Sequence, residues 1–173
     1  RTRYFMMFGV AEDHDSNPIK TGLGHLKGRE NTKFVSINPV RTGYSAIADE
    51  WIPIKPGTDG SLFLALGNEI IKQGLYDRDF LVDYTNAAEL VNLDTASNDF
   101  GMFLRTDRPV EEGCFDAQNK LWWDRNTNGP VDVRCEGCDP YLLGSYEIDG
   151  RPVKTSFQML KERVEEYTPE WAA

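Results

Sequence analysis

Nowhere in the 173 residues does an apolar run approach the roughly 18 needed to cross a bilayer, and no signal-peptide pattern is visible. The Gly-x-Gly-x-x-Gly fingerprint is missing after the first predicted strand, which counts against an ordinary NAD or FAD site. The nearest match, Gly22-Leu23-Gly24, falls inside a helical stretch. A phosphate loop ending in Gly-Lys-Ser/Thr is also missing, which argues against a P-loop NTPase. Basic side chains are scarce, 19 against 28 acidic ones, giving a net charge of −9 without any basic stripe. That balance excludes nucleic acid and anionic membranes as expected partners, because phosphates are held by clustered Lys and Arg. Only three cysteines occur, Cys114, Cys135 and Cys138, too few and too clustered for a disulfide framework. The first residue is Arg1, not Met, so the chain reads as a piece of something longer. The expected compartment is the cytoplasm, with the periplasm as the alternative.

What is present is globular: 40% apolar and 27% charged residues, at a length suited to one domain. Tyr4-Phe5-Met6-Met7-Phe8, ended by Gly9, reads as a strand buried on both faces of a parallel sheet. Asn17-Pro18 opens a helix over 17–28, with Ile19, Leu23 and Leu26 on one side. Residues 33–37 form a second strand at βαβ spacing, followed by a short helix over 42–48 and a third strand, Trp51–Ile54. After Pro56-Gly57-Thr58-Asp59, the stripe Leu62, Ala65, Leu66 and Ile70 marks a helix ended by Gly74. Asp77–Tyr84 is a further helical piece. This order implies an α/β fold, a doubly wound, mainly parallel Rossmann-like sheet with right-handed crossovers over residues 1–88. From 89 to 154 the chain is rich in Asp, Asn, Gly and Pro and reads as an irregular insertion. Short strands at 101–105, 120–124 and 131–134, and a hairpin or two, are expected there. A C-terminal helix and exit segment fill 155–173, with Phe157, Leu160, Val164 and Tyr167 on one face.

In an open parallel sheet, ligands bind beyond the carboxyl ends of the strands. Three loops qualify: Gly9 to His14, Asn38 to Thr42, and Lys55 to Asp59. Gly9 lets a ligand approach the backbone, and the helix beginning near Asn17 offers its dipole to phosphate. Asn38 sits where such sheets read a ribose hydroxyl, and Arg41 is a forked donor for phosphate or carboxylate. Asp59 has two readings: a helix N-cap, or an acceptor for the paired N1–H and N2–H₂ donors of guanine.

Phe8-Gly9-Val10-Ala11-Glu12, Asn38-Pro39-Val40-Arg41-Thr42 with Ala48-Asp49, Pro56-Gly57-Thr58-Asp59 and Gly74-Leu75-Tyr76-Asp77 occur in that order. The series resembles the dinucleotide-binding domain of the molybdopterin oxidoreductases, the dimethyl sulfoxide reductase family that includes formate dehydrogenases and nitrate reductases. It covers residues 5–86 well and 89–154 only loosely. The resemblance implies a fragment of a larger enzyme carrying molybdenum, or tungsten, on molybdopterin guanine dinucleotide, with one guanosine end held here. Carried over by position, Gly9, Ala11 and Glu12 line the phosphates, Asn38, Pro39 and Arg41 the ribose side, and Asp59 the guanine edge. Thr42, Pro56 and Gly57 complete the cofactor-binding set. Ala11 stands where the family often has Asn, and Asn38 where Asp is common. The family's metal ligand and any iron–sulfur cluster are expected outside this fragment, which alone catalyses nothing. The implied partners are the remaining domains of the parent enzyme and an electron-transfer subunit.

Other residues invite chemical readings. Cys135-Glu136-Gly137-Cys138 is a lone CxxC, better suited to a reducible disulfide or two inert thiols than to zinc, which needs four ligands. Trp122-Trp123 reads as one ring in a local core and one half exposed, and Glu12-Asp13-His14-Asp15 as a solvated loop. Two competing functions remain: a flavodoxin-like or receiver-like regulatory module, and a protein with the fold but no cofactor.

Overall fold

The computed structural model describes residues 2–10, 18–28, 31–41, 43–107, 119–133 and 135–173. The chain divides into two compact units, Arg1–Phe63 and Leu64–Ala173.

In the first unit, β1 (Tyr4–Phe8), β2 (Lys33–Ile37) and β3 (Glu50–Ile52) form a parallel sheet in the order β1-β2-β3. Helix α1 (Pro18–Lys27) joins the first two strands, and a 3₁₀ turn over Gly43–Ala46 lies between the second and third. β2 is central, and Phe34, Val35, Ser36 and Ile37 are all fully buried. β1 is less fully buried than its apolar run suggests. It lies at the edge of the described sheet, with Met7 buried and Tyr4, its first residue, 51% exposed. Side chains alternate across a strand, so the two faces of this sheet can be separated. On one face Met7 and Phe34 pack with Leu23 of α1 and Tyr44 of the 3₁₀ turn. On the other, Phe8 meets Phe63 in the first turns of α2 (Asp59–Lys72), ring centroids 4.3 Å apart. Helical chain therefore covers both faces. A doubly wound sheet also needs a reversed strand order, and no described residue of this unit adds a strand beyond β1.

The second unit begins within α2. That helix stops where expected: Gly74 has φ +67°, and the Leu75 N–H returns to the Ile70 carbonyl at 2.9 Å, a C-cap that an achiral residue makes cheap. The stripe is less regular than its spacing. Ala65 is buried, but Ile70 is 44% exposed and Asn68 takes the inward place. Its amide donates to the carbonyls of Val164 (2.6 Å) and Glu165 (3.1 Å), occupying groups a helix end leaves without partners. Helix α3 (Arg78–Tyr84) starts on Asp77, whose carboxylate accepts from the Phe80 N–H at 3.0 Å.

The segment expected to be irregular holds most of the second unit's sheet structure. β4 (Leu90–Asn92), β8 (Arg151–Thr155) and β7 (Ser145–Ile148) form an antiparallel sheet in that order, and β5 (Leu121–Asp124) pairs with β6 (Gly129–Asp132) as a hairpin. No strand forms over 101–105. Phe103 and Arg105 make single bridges to Val91 and Lys120. Val82, Ala87, Ala88, Leu142 and Phe157 make the core, with Trp122 packed against it. Trp123 stacks on Tyr146 with centroids 4.2 Å apart. Helix α4 (Ser156–Val164) buries Phe157 and Val164 but leaves Leu160 47% exposed, and α5 (Pro169–Ala172) closes the chain. Among the described residues no helix is long and apolar enough to cross a membrane.

Candidate functional site

The register Phe8↔Ile37↔Ile52 brings the carboxyl ends of the three parallel strands level. The loops that follow them therefore leave one edge of the sheet together. Gly9, the first residue past β1, donates its N–H to the Ile37 carbonyl at 3.1 Å and adopts φ +58°. A Cβ there meets nothing within 4 Å, so glycine is required by conformation and not by space. The exposed backbone at this point can be approached closely.

Asn38 follows β2. Its N–H donates to the Ile52 carbonyl at 3.2 Å, and its own carbonyl accepts from the Trp51 indole N–H at 3.0 Å. Pro39, Val40 and Arg41 are exposed. Among the described residues the Arg41 guanidinium has no hydrogen-bond or ion-pair partner.

Past β3, the Lys55 carbonyl accepts both the Thr58 N–H (3.2 Å) and the Thr58 hydroxyl (2.8 Å). Pro56 in second place and Gly57 at φ +86° in third make this a type II turn. Thr58 thus holds the cap position of α2, its carbonyl taking the Leu62 N–H, while its hydroxyl turns back to the preceding loop. Asp59 is the first helical residue and is half-buried. Among the described residues its carboxylate accepts no hydrogen bond, so it caps nothing, and it sits where the helix dipole favours an anion. Among the described residues the edge therefore carries a cation and a carboxylate without partners and two glycines with positive φ. Ala11, Glu12 and Thr42 lie outside the described residues, as do His14, Asn17 and Cys114.

Asp49, part of the same ordered motif, stands at the far end of β2. Its carboxylate pairs with Lys27 and accepts the Phe34 N–H at 2.8 Å. The Lys27 hydrogen bond first, and the Phe34 N–H second, hold its pKa below the ordinary 3.8. A carboxyl depressed by folding stabilises the fold above its unfolded value and loses that contribution as pH falls towards the folded one. The native protein should therefore outperform Asp49→Asn at neutral pH, and the gap should shrink below about pH 4. Hydrogen exchange of β2 peptides, followed across that range, checks this. A gap independent of pH contradicts it.

In the second unit Asp124 plays a similar part. It is 2% exposed and accepts from the Asp139 N–H (2.8 Å) and from the Thr127 N–H and hydroxyl (both 2.9 Å). These bonds, that of Asp139 foremost, hold its pKa low. Cys135 and Cys138 are joined as a disulfide, with Cα atoms 5.8 Å apart. Among the described residues no group of His, Cys, Asp and Glu is placed to hold a metal ion.

Sequence reasoning missed Trp51, which read only as a strand residue. Nothing in its position along the chain separates a packing indole from one that holds a neighbouring loop.

A family model described as molybdopterin oxidoreductase matches residues 3–119. A sulfite dehydrogenase subunit of Allochromatium vinosum is 60% identical over 174 positions, covering 100% of this chain and 18% of that protein. A putative dimethyl sulfoxide reductase catalytic subunit of Halobacterium salinarum is 35% identical, covering 84% of this chain and 17% of its own length. The alpha subunit of perchlorate reductase from Dechloromonas aromatica is 31% identical, covering 99% of this chain and 22% of its own length. The chain thus spans about a fifth of the length of these curated relatives.

Proposed function

The chain belongs to the molybdopterin oxidoreductase family, and from that premise we propose that its first unit holds the guanosine end of a molybdopterin guanine dinucleotide in a larger redox enzyme. The observation that carries this reading is a pair of charges without a partner among the described residues, Arg41 on the loop after β2 and Asp59 at the start of α2, where the chain leaves one level sheet edge. The donor set fits the ligand. A guanidinium suits phosphate, a carboxylate suits the two N–H donors on the guanine edge, and Gly9 gives access to backbone. Ala11 and Glu12 would line the phosphates beside Gly9, Asn38, Pro39 and Thr42 the ribose side, and Pro56 and Gly57 would shape the turn that presents Asp59.

Helices on both faces of the parallel sheet support the doubly wound reading, because α2 leaves β3 on the face opposite α1. A chain returning past β1 would start in that way. When bound, the pterin-held metal supplies electron or oxygen-atom transfer; the residues of this unit bind and orient its nucleotide tail. Identity of 60% across the whole chain supports sulfite as the first substrate to assay in the parent protein. Its proposed partners are the remaining domains and an electron-accepting subunit. The regulatory-module alternative gains nothing from the comparisons, whose named relatives are enzymes.

Elemental and nucleotide analysis of the purified parent protein tests the reading. Molybdenum or tungsten together with guanosine monophosphate released by acid is the expected result. Metal without guanine nucleotide would overturn the guanosine assignment.

A further inference from the structure

We infer that Trp51 is a positioning residue for the guanosine site, its indole N–H clamping the Asn38 carbonyl and so presetting the loop from Asn38 to Arg41. The inference rests on the proposed guanosine-holding role and assigns a part to a residue that touches no ligand.

The last β2–β3 pair is Ile37↔Ile52, so Asn38 is where the chain leaves the sheet. Its N–H is still held by the Ile52 carbonyl, but its own carbonyl lies past the paired register and has no strand partner. Pro39 then confines Asn38 to extended backbone without supplying a donor of its own. The Trp51 indole, a donor only, fills that gap at 3.0 Å from the neighbouring strand, where Trp51 pairs with Ser36 in register. Both polar groups of the Asn38 peptide are thereby fixed to successive residues of β3.

The turn that follows the loop is tied down as well. Ser45 in the 3₁₀ turn shares a hydrogen bond with Ser36 at 2.7 Å, the two residues being 1% and 0% exposed. Between these ties, Val40 and Arg41 project at the surface, and the Arg41 guanidinium has no protein partner among the described residues. A loop tied at its start and again in the turn that follows it loses less freedom when it takes a ligand, and that saving appears as affinity.

The test uses the cofactor-loaded parent protein and follows the loss of guanine nucleotide over time, read as guanosine monophosphate released by acid per chain. Trp51→Phe should lose nucleotide roughly 2- to 10-fold faster, the weight of one neutral hydrogen bond, while the cofactor-free protein still folds and melts in a single transition, lowered by no more than one lost hydrogen bond accounts for. A benzothiophene side chain placed at 51, shaped like indole but lacking its N–H, should behave like Phe. It covers the case in which Phe fails to fold. Arg41→Ala serves as the reference. If Arg41→Ala sheds nucleotide while both Trp51 replacements retain it as the native protein does, the positioning role is overturned and the guanosine reading stands. If Arg41→Ala and Asp59→Ala also retain it fully, the guanosine reading fails and this inference with it.

Discussion

Asp59→Ala in the parent protein should lower guanine-nucleotide affinity about 30- to 150-fold, equivalent to about 2–3 kcal/mol for a paired, charge-assisted acceptor. The size follows from what the carboxylate lacks. Asp59 stands at the start of α2 with no hydrogen bond of its own among the described residues, so removing it costs the fold little and the ligand much. Were it a cap, the loss would be about 1 kcal/mol of helix stability with no change in nucleotide content. The two outcomes separate in one preparation: nucleotide per chain reports the ligand role, and melting of cofactor-free protein reports the cap. Asp59→Asn sharpens the contrast, since its amide sets a donor against a donor and should restore little binding. Full loading in Asp59→Ala would rule out the guanine contact.

Lys120→Ala should be the most destabilising single change in the second unit, by about 3–5 kcal/mol. Lys120 is 5% exposed, and its ammonium lies 2.8 Å from the carboxylate of Glu89, itself 8% exposed. The same ammonium sits 4.7 Å from the Phe103 ring centroid, and both charged groups make further interactions. Truncating the lysine removes the countercharge 2.8 Å from a buried carboxylate. Replacing both, Lys120→Met with Glu89→Leu, removes the buried charges together and should recover most of the loss. Amide exchange of β4, whose first residue follows Glu89 in the chain, measures this in the intact protein. A Lys120→Ala variant with unchanged protection would show that the pair contributes little.

How far these elements were readable depended on where their partners lie. β2 was legible because Phe34 to Ile37 are all buried and their β-branched and aromatic run ends at Asn38-Pro39. α2 was legible because Pro56-Gly57 forces the turn before it and Gly74 the cap after it. β4 was not. Leu90–Asn92 is too short to show a period, and it pairs with Thr155 to Val153, more than 60 residues away. β7 and β8 do carry a local sign: Asp149-Gly150, at φ 51° and 77°, is the pairing a tight hairpin favours. Asn68 and Leu160 lie within helices of the right period but on the wrong side of the burial boundary. Asn68 is buried because the end of α4 needs donors, a condition set by a segment nearly 100 residues on.

For the site, residue types at strand ends were enough to nominate Gly9, Asn38, Arg41 and Asp59, since parallel strands deliver their loops to one edge. Which of them are free to bind was not legible. Asp59 reads equally as a cap and as a ligand until it is seen as the first helical residue, with a carboxylate that accepts no hydrogen bond among the described residues. Trp51 leaves no trace in the sequence, because its role lies in one N–H reaching across to the next strand.

The most direct measurement is an electron-density or cryo-electron-microscopy map of the parent protein with its cofactor bound. The account predicts a guanine whose N1–H and N2–H₂ lie about 2.7–3.2 Å from the Asp59 carboxylate oxygens, with the ribose beside Asn38. A guanine seated away from the three loops that follow β1, β2 and β3 would contradict it.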